Sequence, residues 1–197
     1  MPDSNGDKGQ RPLSTLLSEL PGAKQLWGEN PIITGISTDS RRLTPGDLYV
    51  AIVGEKHDGH HFIPHVIEQG AAALLVEKPP CRRRGGNPAL VQVKDTRLAL
   101  AQLAASFYRH PARSLICTGV TGTTGKTTTT FLLNAILEEA GLKTGLLGTV
   151  CQKIGSIVHP SELTTPEPLQ LHRLFAAMVE QRVSHGVMEV SRPNIKK

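Results

Sequence analysis

The run Thr121-Gly-Thr-Thr-Gly-Lys-Thr-Thr-Thr-Thr130 constrains this chain more than any other segment. A short apolar stretch, residues 115–120, leads into it, and a helical pattern over 131–140 leads out. Strand, glycine loop, lysine, hydroxyl and helix, in that order, gather backbone N–H groups and a helix N-terminus around one point, which suits a phosphate. Lys126 is expected to reach the outer phosphates of a nucleotide, and Thr127 to offer its hydroxyl to Mg²⁺. The spacing departs from the standard phosphate loop. Val120 stands six positions before the lysine, and the glycines fall at Gly122 and Gly125. A glycine turn that binds nothing would explain the glycines, but not Lys126-Thr127 at the helix start. Four successive threonines are poor helix formers, so a helix opening on them implies that hydroxyls are wanted there.

Strands and helices alternate on both sides of the loop. Residues 1–24 read as a polar, disordered lead and a short helix over 13–20. Strands are expected over 32–37 and 48–53, with Pro45-Gly46 turning between them, then a helix over 63–69 and strands over 73–76 and 89–93. This outlines a small α/β domain over 25–95. Asp95 stands where a helix N-cap would, and Leu100, Leu103, Ala104 and Phe107 follow at helical spacing. The result is a connecting helix over 96–111, stopped by His110-Pro111. The domain expected over 112–197 runs strand (115–120), loop, helix (126–140), Gly141 cap, strand (144–150), a loop to Pro168, a helix with Leu171, Leu174, Phe175, Met178 and Val179 on one face, and a buried strand over 186–190. The fold class expected is α/β: a small N-terminal domain followed by an incomplete P-loop-type domain with a parallel sheet. Three strands and two helices would leave that second sheet with an uncovered face and an open edge.

Composition narrows the function classes. No apolar run is long enough to span a membrane, and no charged-then-apolar leader is visible, so a soluble cytoplasmic protein without membrane insertion is expected. Cys81, Cys117 and Cys151 fit neither a disulfide framework nor a zinc site, and Cys117 is expected inside a buried strand. The net charge of +5 is dispersed apart from Arg82-Arg83-Arg84 and the terminal lysines. The arginine trio runs into Gly85-Gly86-Asn87-Pro88, a loop, with few aromatics to stack on bases. A solvated loop is therefore the reading expected over a nucleic-acid site, and an anionic small molecule suits the charge equally well.

Three further segments carry polar groups at strand ends. The first is Ile36-Ser-Thr-Asp-Ser-Arg-Arg42 with Pro45-Gly-Asp-Leu-Tyr-Val-Ala51 and Asp58-Gly59; by composition alone it is a polar turn. The second, Leu163-Thr-Thr-Pro-Glu-Pro168, is a stiff loop that could grip a polar ligand or cap the next helix. The third is Met188-Glu189-Val190-Ser191. A glutamate at the carboxyl end of a buried strand is costly unless paired or bound to a cation. Ligands of open α/β sheets sit at such ends, so Glu189 makes physical sense as a Mg²⁺ ligand beside Thr127.

Together these segments, from about Ile33 to Ser191, resemble the Mur ligase family of peptidoglycan synthesis. The closest likeness is to the branch that extends UDP-MurNAc-L-Ala-D-Glu. The first segment is similar to the family's UDP-binding domain, and the glycine loop to its ATP loop. Gly148-Thr149, Thr164-Thr-Pro-Glu-Pro168 and Met188-Glu-Val-Ser191 are similar to the central domain of that branch. A sister ligase would show an Asn-Asn segment after the loop, which is absent.

The resemblance implies an ATP-dependent amide ligase. ATP would phosphorylate the terminal carboxylate, and a diamino acid, meso-diaminopimelate or L-lysine, would attack the acyl phosphate. It implies ATP phosphates held by Gly122, Thr123, Thr124, Gly125, Lys126, Thr127 and Thr128, with Lys126 as the catalytic charge. It implies Mg²⁺ on Thr127 and Glu189, the uridine end on Thr38 and Ser40, and the muramoyl peptide on Thr164, Thr165 and Ser191. The family pattern continues Ser-His after Glu-Val-Ser, whereas Arg192-Pro193 follows here. That departure is expected to mark a frameshift, a truncated gene or a cut assembly. It leaves two expectations: a catalytically incomplete ligase, or a non-catalytic module that binds UDP-sugar and nucleotide.

Overall fold

The computed structural model describes residues 10–54, 57–79, 88–161 and 163–191. Cys81, Arg82-Arg83-Arg84 and the segment from Arg192 onward lie outside the described residues. The chain divides into two compact units, with the boundary in sequence between Arg109 and His110.

The first unit contains β1 (Arg11–Pro12), α1 (Leu13–Ser18), β2 (Lys24–Trp27), β3 (Ile32–Ile33), β4 (Ile36–Ser37), β5 (Leu48–Val50), α2 (Ile63–Glu68), β6 (Ala73–Val76), β7 (Ala89–Gln92) and α3 (Thr96–Phe107). Its main sheet has the order β2-β7-β6-β5-β4. Strands β4 to β7 are parallel, and β2 adds an antiparallel edge. Every residue of β5 and β6 is buried, as expected of short apolar runs in a parallel sheet covered on both faces. Tyr49, Leu74, Val76 and Leu90 pack with Ile63 and Val66 of α2 on one face. By strand alternation Leu48, Val50, Leu75 and Val91 point to the other face, and they too are buried.

Two features depart from the sequence expectation. The stretch 32–37 is not one strand. It breaks at Thr34-Gly35, so that β3 pairs antiparallel with β1 while β4 pairs parallel with β5. The break has a local cause: a Cβ on Gly35 would overlap the Asp47 carboxylate, and the Gly35 carbonyl accepts from Leu48 N at 2.9 Å. The helix expected to connect the domains lies within the first unit. Its residues Ala99, Leu100, Leu103, Ala104 and Phe107 are buried, and it contacts α1. Asp95 starts this helix, its Oδ1 accepting from Arg97 N and Leu98 N at 2.8 and 2.9 Å.

The second unit contains β8 (Ile116–Val120), α4 (Lys126–Glu139), β9 (Thr144–Leu147), β10 (Cys151–Ile154), β11 (Ile157–Pro160), α5 (Pro168–Glu180) and β12 (His185–Glu189). The sheet order is β11-β10-β9-β12-β8. The three expected strands, β8, β12 and β9, are parallel. Residues 151–160, read from sequence as loop, instead form the antiparallel hairpin β10–β11, turning at Gly155 with φ +57°. The sheet is therefore mixed and five-stranded. Its core holds Leu115, Leu147, Ile154, Phe175, Met178 and Val183. Gly141 follows α4 in the left-handed region at φ +76°, its N–H bonded to Glu138 O at 2.9 Å.

Strand β8 corrects a further expectation. Among the described residues it is an edge strand paired only with β12; Cys117 is exposed rather than buried, and Ile116 is 62% exposed. Leu132 and Ile136 on α4 are also exposed. No helix among the described residues is long and apolar enough to cross a membrane.

Candidate functional site

Strand β8 ends at Val120 and α4 begins at Lys126, so the glycine loop fills a strand-to-helix turn. Gly125 caps the helix in the left-handed region, φ +79°, where a side chain would be strained. No side chain caps α4, and its first turn carries no acidic residue. Its N-terminal N–H groups therefore suit an anion, with the helix dipole in the same sense. The Lys126 ammonium donates to the Gly122 carbonyl at 2.7 Å, which holds it over the loop. Thr130 is buried and bonds back to the Thr127 carbonyl at 2.9 Å, so not every hydroxyl of the threonine run faces the loop.

Glu189 closes β12 opposite Val120 of β8, and the Val190 N–H bonds to the Val120 carbonyl at 2.8 Å. The register sets the carboxylate beside the start of α4. Glu189 is 1% exposed, and such a buried carboxylate requires partners. It has three donors. Thr127 Oγ1 donates to Oε2 at 3.0 Å, Thr149 N to Oε1 at 2.9 Å, and Thr149 Oγ1 to Oε2 at 3.1 Å. Gly148 leaves room for this arrangement, because a Cβ there would overlap the carboxylate.

The Thr164-Thr165 loop joins the same cluster. Thr164 Oγ1 lies 3.0 Å from Thr149 Oγ1. Thr165 Oγ1 donates to the Glu189 carbonyl at 3.1 Å, accepts from Ser191 N at 2.9 Å and lies 2.9 Å from Ser191 Oγ. Loop residues 123–128, with Thr149, Thr164, Glu189 and Ser191, line a concavity of about 440 Å³. The structure thus brings together Thr123, Thr124, Gly125, Lys126, Thr127, Thr128, Thr164, Glu189 and Ser191. Gly122 touches the cluster through its carbonyl, and Thr165 through Ser191 and the Glu189 backbone.

Thr38 and Ser40 belong to the first unit. Thr38 is exposed just after β4, and Ser40 is 7% exposed. Much of the polar segment around them is bonded into its own turns. Asp39 takes two bonds from the Arg41 guanidinium, at 2.9 and 2.8 Å, and one from Arg41 N, which hold its carboxyl down at about 2. Asp47, 6% exposed, accepts from Thr44 N and Thr44 Oγ1, both at 2.9 Å.

The Asp58-Gly59-His60 run is likewise scaffold. Glu77 N donates to His60 Nε2 at 3.1 Å, so the ring proton sits on Nδ1 and is given to Asp58 at 2.6 Å. The His60 amide and ring together hold the Asp58 carboxyl below its usual range. The Tyr49 hydroxyl bonds to the Gly59 carbonyl at 3.1 Å, and a Cβ on Gly59 would meet Ile52 N at 2.8 Å.

The residue that sequence reasoning left off its site list is Thr149. Gly148-Thr149 is singled out as part of the family resemblance but given no role, since its partner lies 40 residues away. The donor set fits a hard cation. Mg²⁺ prefers oxygen ligands and is commonly held by one or two carboxylates together with phosphates. Thr127 and Glu189 supply a hydroxyl and a carboxylate at the mouth of a loop suited to phosphates. No group of three or more His, Cys, Asp or Glu poised for a metal occurs among the described residues. The set present is one that a bound phosphate would complete.

Comparison with known proteins identifies the family. The model of the "Mur ligase family, catalytic domain" matches residues 32–108, and that of the "Mur ligase middle domain" matches residues 120–197. The UDP-N-acetylmuramoyl-L-alanyl-D-glutamate--2,6-diaminopimelate ligase of Geobacillus thermodenitrificans is 45% identical over 91% of this chain, a stretch covering 36% of that relative. Among solved structures, MurF from Acinetobacter baumannii superposes with TM-score 0.62 at 26% identity, covering 93% of this chain and 37% of its own. The MurF ligase from Thermotoga maritima in complex with ADP gives TM-score 0.51 at 26% identity, covering 80% of this chain and 32% of its own. The chain spans about a third of the length of the curated relatives it matches. Matched in its first unit by the family's catalytic-domain model and in its second by the middle-domain model, the chain belongs to the Mur ligase family.

Proposed function

We propose that the second unit binds ATP with Mg²⁺ at the loop 122–128, in the service of ligating a diamino acid to UDP-MurNAc-L-Ala-D-Glu. The observation that carries this reading is the 3.0 Å bond between Thr127, at the start of α4, and the buried Glu189. A hydroxyl and a carboxylate meet there beside an uncapped helix N-terminus and a lysine. Relatives that are 2,6-diaminopimelate ligases favour that amino acid over L-lysine.

In this reading Gly122 to Thr128 hold the phosphates through backbone N–H groups, and Lys126 neutralises charge as the terminal phosphoryl moves to the substrate carboxylate. Mg²⁺ on Thr127 and Glu189 would add charge neutralisation at the same phosphates. The amine then attacks the acyl phosphate, the new amide forms and phosphate leaves. Thr164, Thr165 and Ser191 position the muramoyl peptide, whose approach to the loop sets the rate. Thr38 and Ser40 contact the uridine end.

The test is calorimetric titration of the 197-residue chain with Mg·ATP and, separately, with UDP-MurNAc-L-Ala-D-Glu. Both are expected to bind, and Lys126→Ala is expected to weaken ATP by about tenfold to a hundredfold, the worth of a hydrogen bond to a charged group. A chain that binds the UDP-peptide but not ATP would overturn the nucleotide assignment.

A further inference from the structure

We infer that Thr149 is a positioning residue that fixes the Glu189 carboxylate for the cation and ties it to the Thr164-Thr165 loop. This rests on the nucleotide reading above and deepens it. Glu189 is anchored from two directions. Thr127, on the phosphate loop's helix, reaches one oxygen. Thr149, just beyond β9, reaches both, its amide at Oε1 and its hydroxyl at Oε2.

The two threonines differ in what they can do when a cation arrives. Thr127 would turn an oxygen lone pair toward the ion and become a ligand itself, its proton still available to Oε2. Thr149 need not move. Its amide and hydroxyl span the carboxylate like a clamp, which sets the rotation of the group about its terminal bond. Gly148 makes this possible: with any Cβ at that position, the carboxylate could not lie against the 148–149 backbone.

The Thr149 hydroxyl has one proton, and an ionised carboxylate can only accept. That proton therefore goes to Glu189. The 3.0 Å contact between the two hydroxyls has the geometry of Thr149 donating to Thr164, but that orientation would turn the Thr149 lone pairs on Oε2, so beside an ionised carboxylate the Thr164 hydroxyl takes the donor role. The outcome is a one-way chain, Thr164 to Thr149 to Glu189, from the loop assigned to the peptide substrate to the carboxylate assigned to the cation. A group that draws the Thr164 hydroxyl away would loosen the Glu189 clamp, and an ordered Thr164 would tighten it.

The test measures ATP affinity of the full chain by calorimetry as Mg²⁺ is raised from zero. Thr149→Val removes the hydroxyl and keeps the amide. It is expected to raise the Mg²⁺ concentration for half-maximal tightening of ATP by about tenfold, the lower end of the range for a residue that orients a metal ligand. ATP affinity without Mg²⁺ should stay at the wild-type value, and Thr149→Ser should restore the wild-type Mg²⁺ dependence. Thr164→Val, on a partly exposed loop, should shift the Mg²⁺ dependence in the same direction by a smaller factor. It keeps the test open if Thr149→Val does not fold.

Wild-type Mg²⁺ dependence in Thr149→Val, or in Thr164→Val where the first variant is unfolded, overturns the inference. An equal loss of ATP affinity with and without Mg²⁺ also overturns it, because that is the signature of a merely structural threonine. Failure of the wild-type chain to bind ATP at all would instead sink the nucleotide reading on which this rests.

Discussion

Each unit buries a carboxylate against a glycine, and the two are wired differently. In the first unit Asp47 lies against Gly35, and its short bonds come from Thr44, three residues away. In the second, Glu189 lies against Gly148, and its donors come from Thr127 and Thr149, 62 and 40 residues away. Asp47 closes a turn. Glu189 joins a helix start, a strand end and its own strand. In both cases the residue types are hydroxyl, acid and glycine near a strand end. Range separates scaffold from site: a carboxylate satisfied by its own turn has nothing left to organise, whereas one satisfied by distant segments holds them around a common point.

The comparison breaks most directly at the glycines. Gly148→Ala forces a Cβ into the Glu189 carboxylate and should destabilise the second unit by about 1–3 kcal/mol through overpacking. It should also abolish any Mg²⁺ effect on ATP binding. Gly35→Ala should cost a similar amount in the first unit and leave ATP binding untouched. Trp27 is the single tryptophan and packs on the first unit's core, so its fluorescence in urea should follow Gly35→Ala and not Gly148→Ala. A Gly35→Ala chain with altered ATP affinity would undo the distinction.

The next effect in size is the loss of the acids themselves. Glu189→Leu strands two hydroxyls and an amide, whereas Asp47→Ala strands the Thr44 hydroxyl and amide, the Thr34 hydroxyl, at 3.5 Å from Asp47, keeping the Pro45 carbonyl as a second acceptor. Each is expected to lose about 1–3 kcal/mol, with Glu189→Leu the larger. Chemical denaturation monitored by circular dichroism and by Trp27 should rank them so. The reverse order would mean that the local turn, not the long-range cluster, is the stiffer of the two.

The smallest effects are those of pH, and both belong to the first unit. Burial pushes the Tyr49 hydroxyl up to about 12, from 10.0. Its folded value is the higher, so its contribution is complete below pH 10 and lost as pH rises toward 12. Tyr49→Phe should flatten that alkaline loss in a Trp27-monitored titration. Asp39 is depressed to about 2 from 3.8, so its contribution is present above pH 4 and lost as pH falls toward 2. Asp39→Asn should change this acid limb only slightly, and less in high salt, since the Arg41 pair is exposed.

What the sequence makes legible follows the same divide between near and far. The loop between β8 and α4, the Asp95 cap and the Gly141 stop are local patterns, and they stand where the residue order puts them. Glu189 stood out because a charge at the end of an apolar run is anomalous by itself. Thr149 was quoted only within the Gly148-Thr149 pair and given no role, because only folding brings it to Glu189. The hairpin over residues 151–160 was read as loop because Cys151-Gln-Lys-Ile154 and Ile157-Val-His-Pro160 are short and half polar. Only their pairing across Gly155 makes them strands. Lys24–Trp27 escaped for a related reason, as an edge strand with mostly exposed side chains. The segment around Thr38 reads by composition alone as a polar turn, and much of its polarity is indeed spent on the turns of Asp39, Asp47 and Asp58; its place at the uridine end is what the resemblance implies.

The parallel register of β8 and β12, with Glu189 opposite Val120, has a consequence for how this protein can vary. Side chains along a strand alternate between faces, so one residue inserted or deleted within either strand would carry the carboxylate away from Thr127. Substitutions among the apolar residues of these strands leave that phase intact. The site should therefore tolerate many exchanges of letters in β8 and β12 and almost no change in their spelling length. A collection of selected variants would record this as strands free in composition and frozen in count.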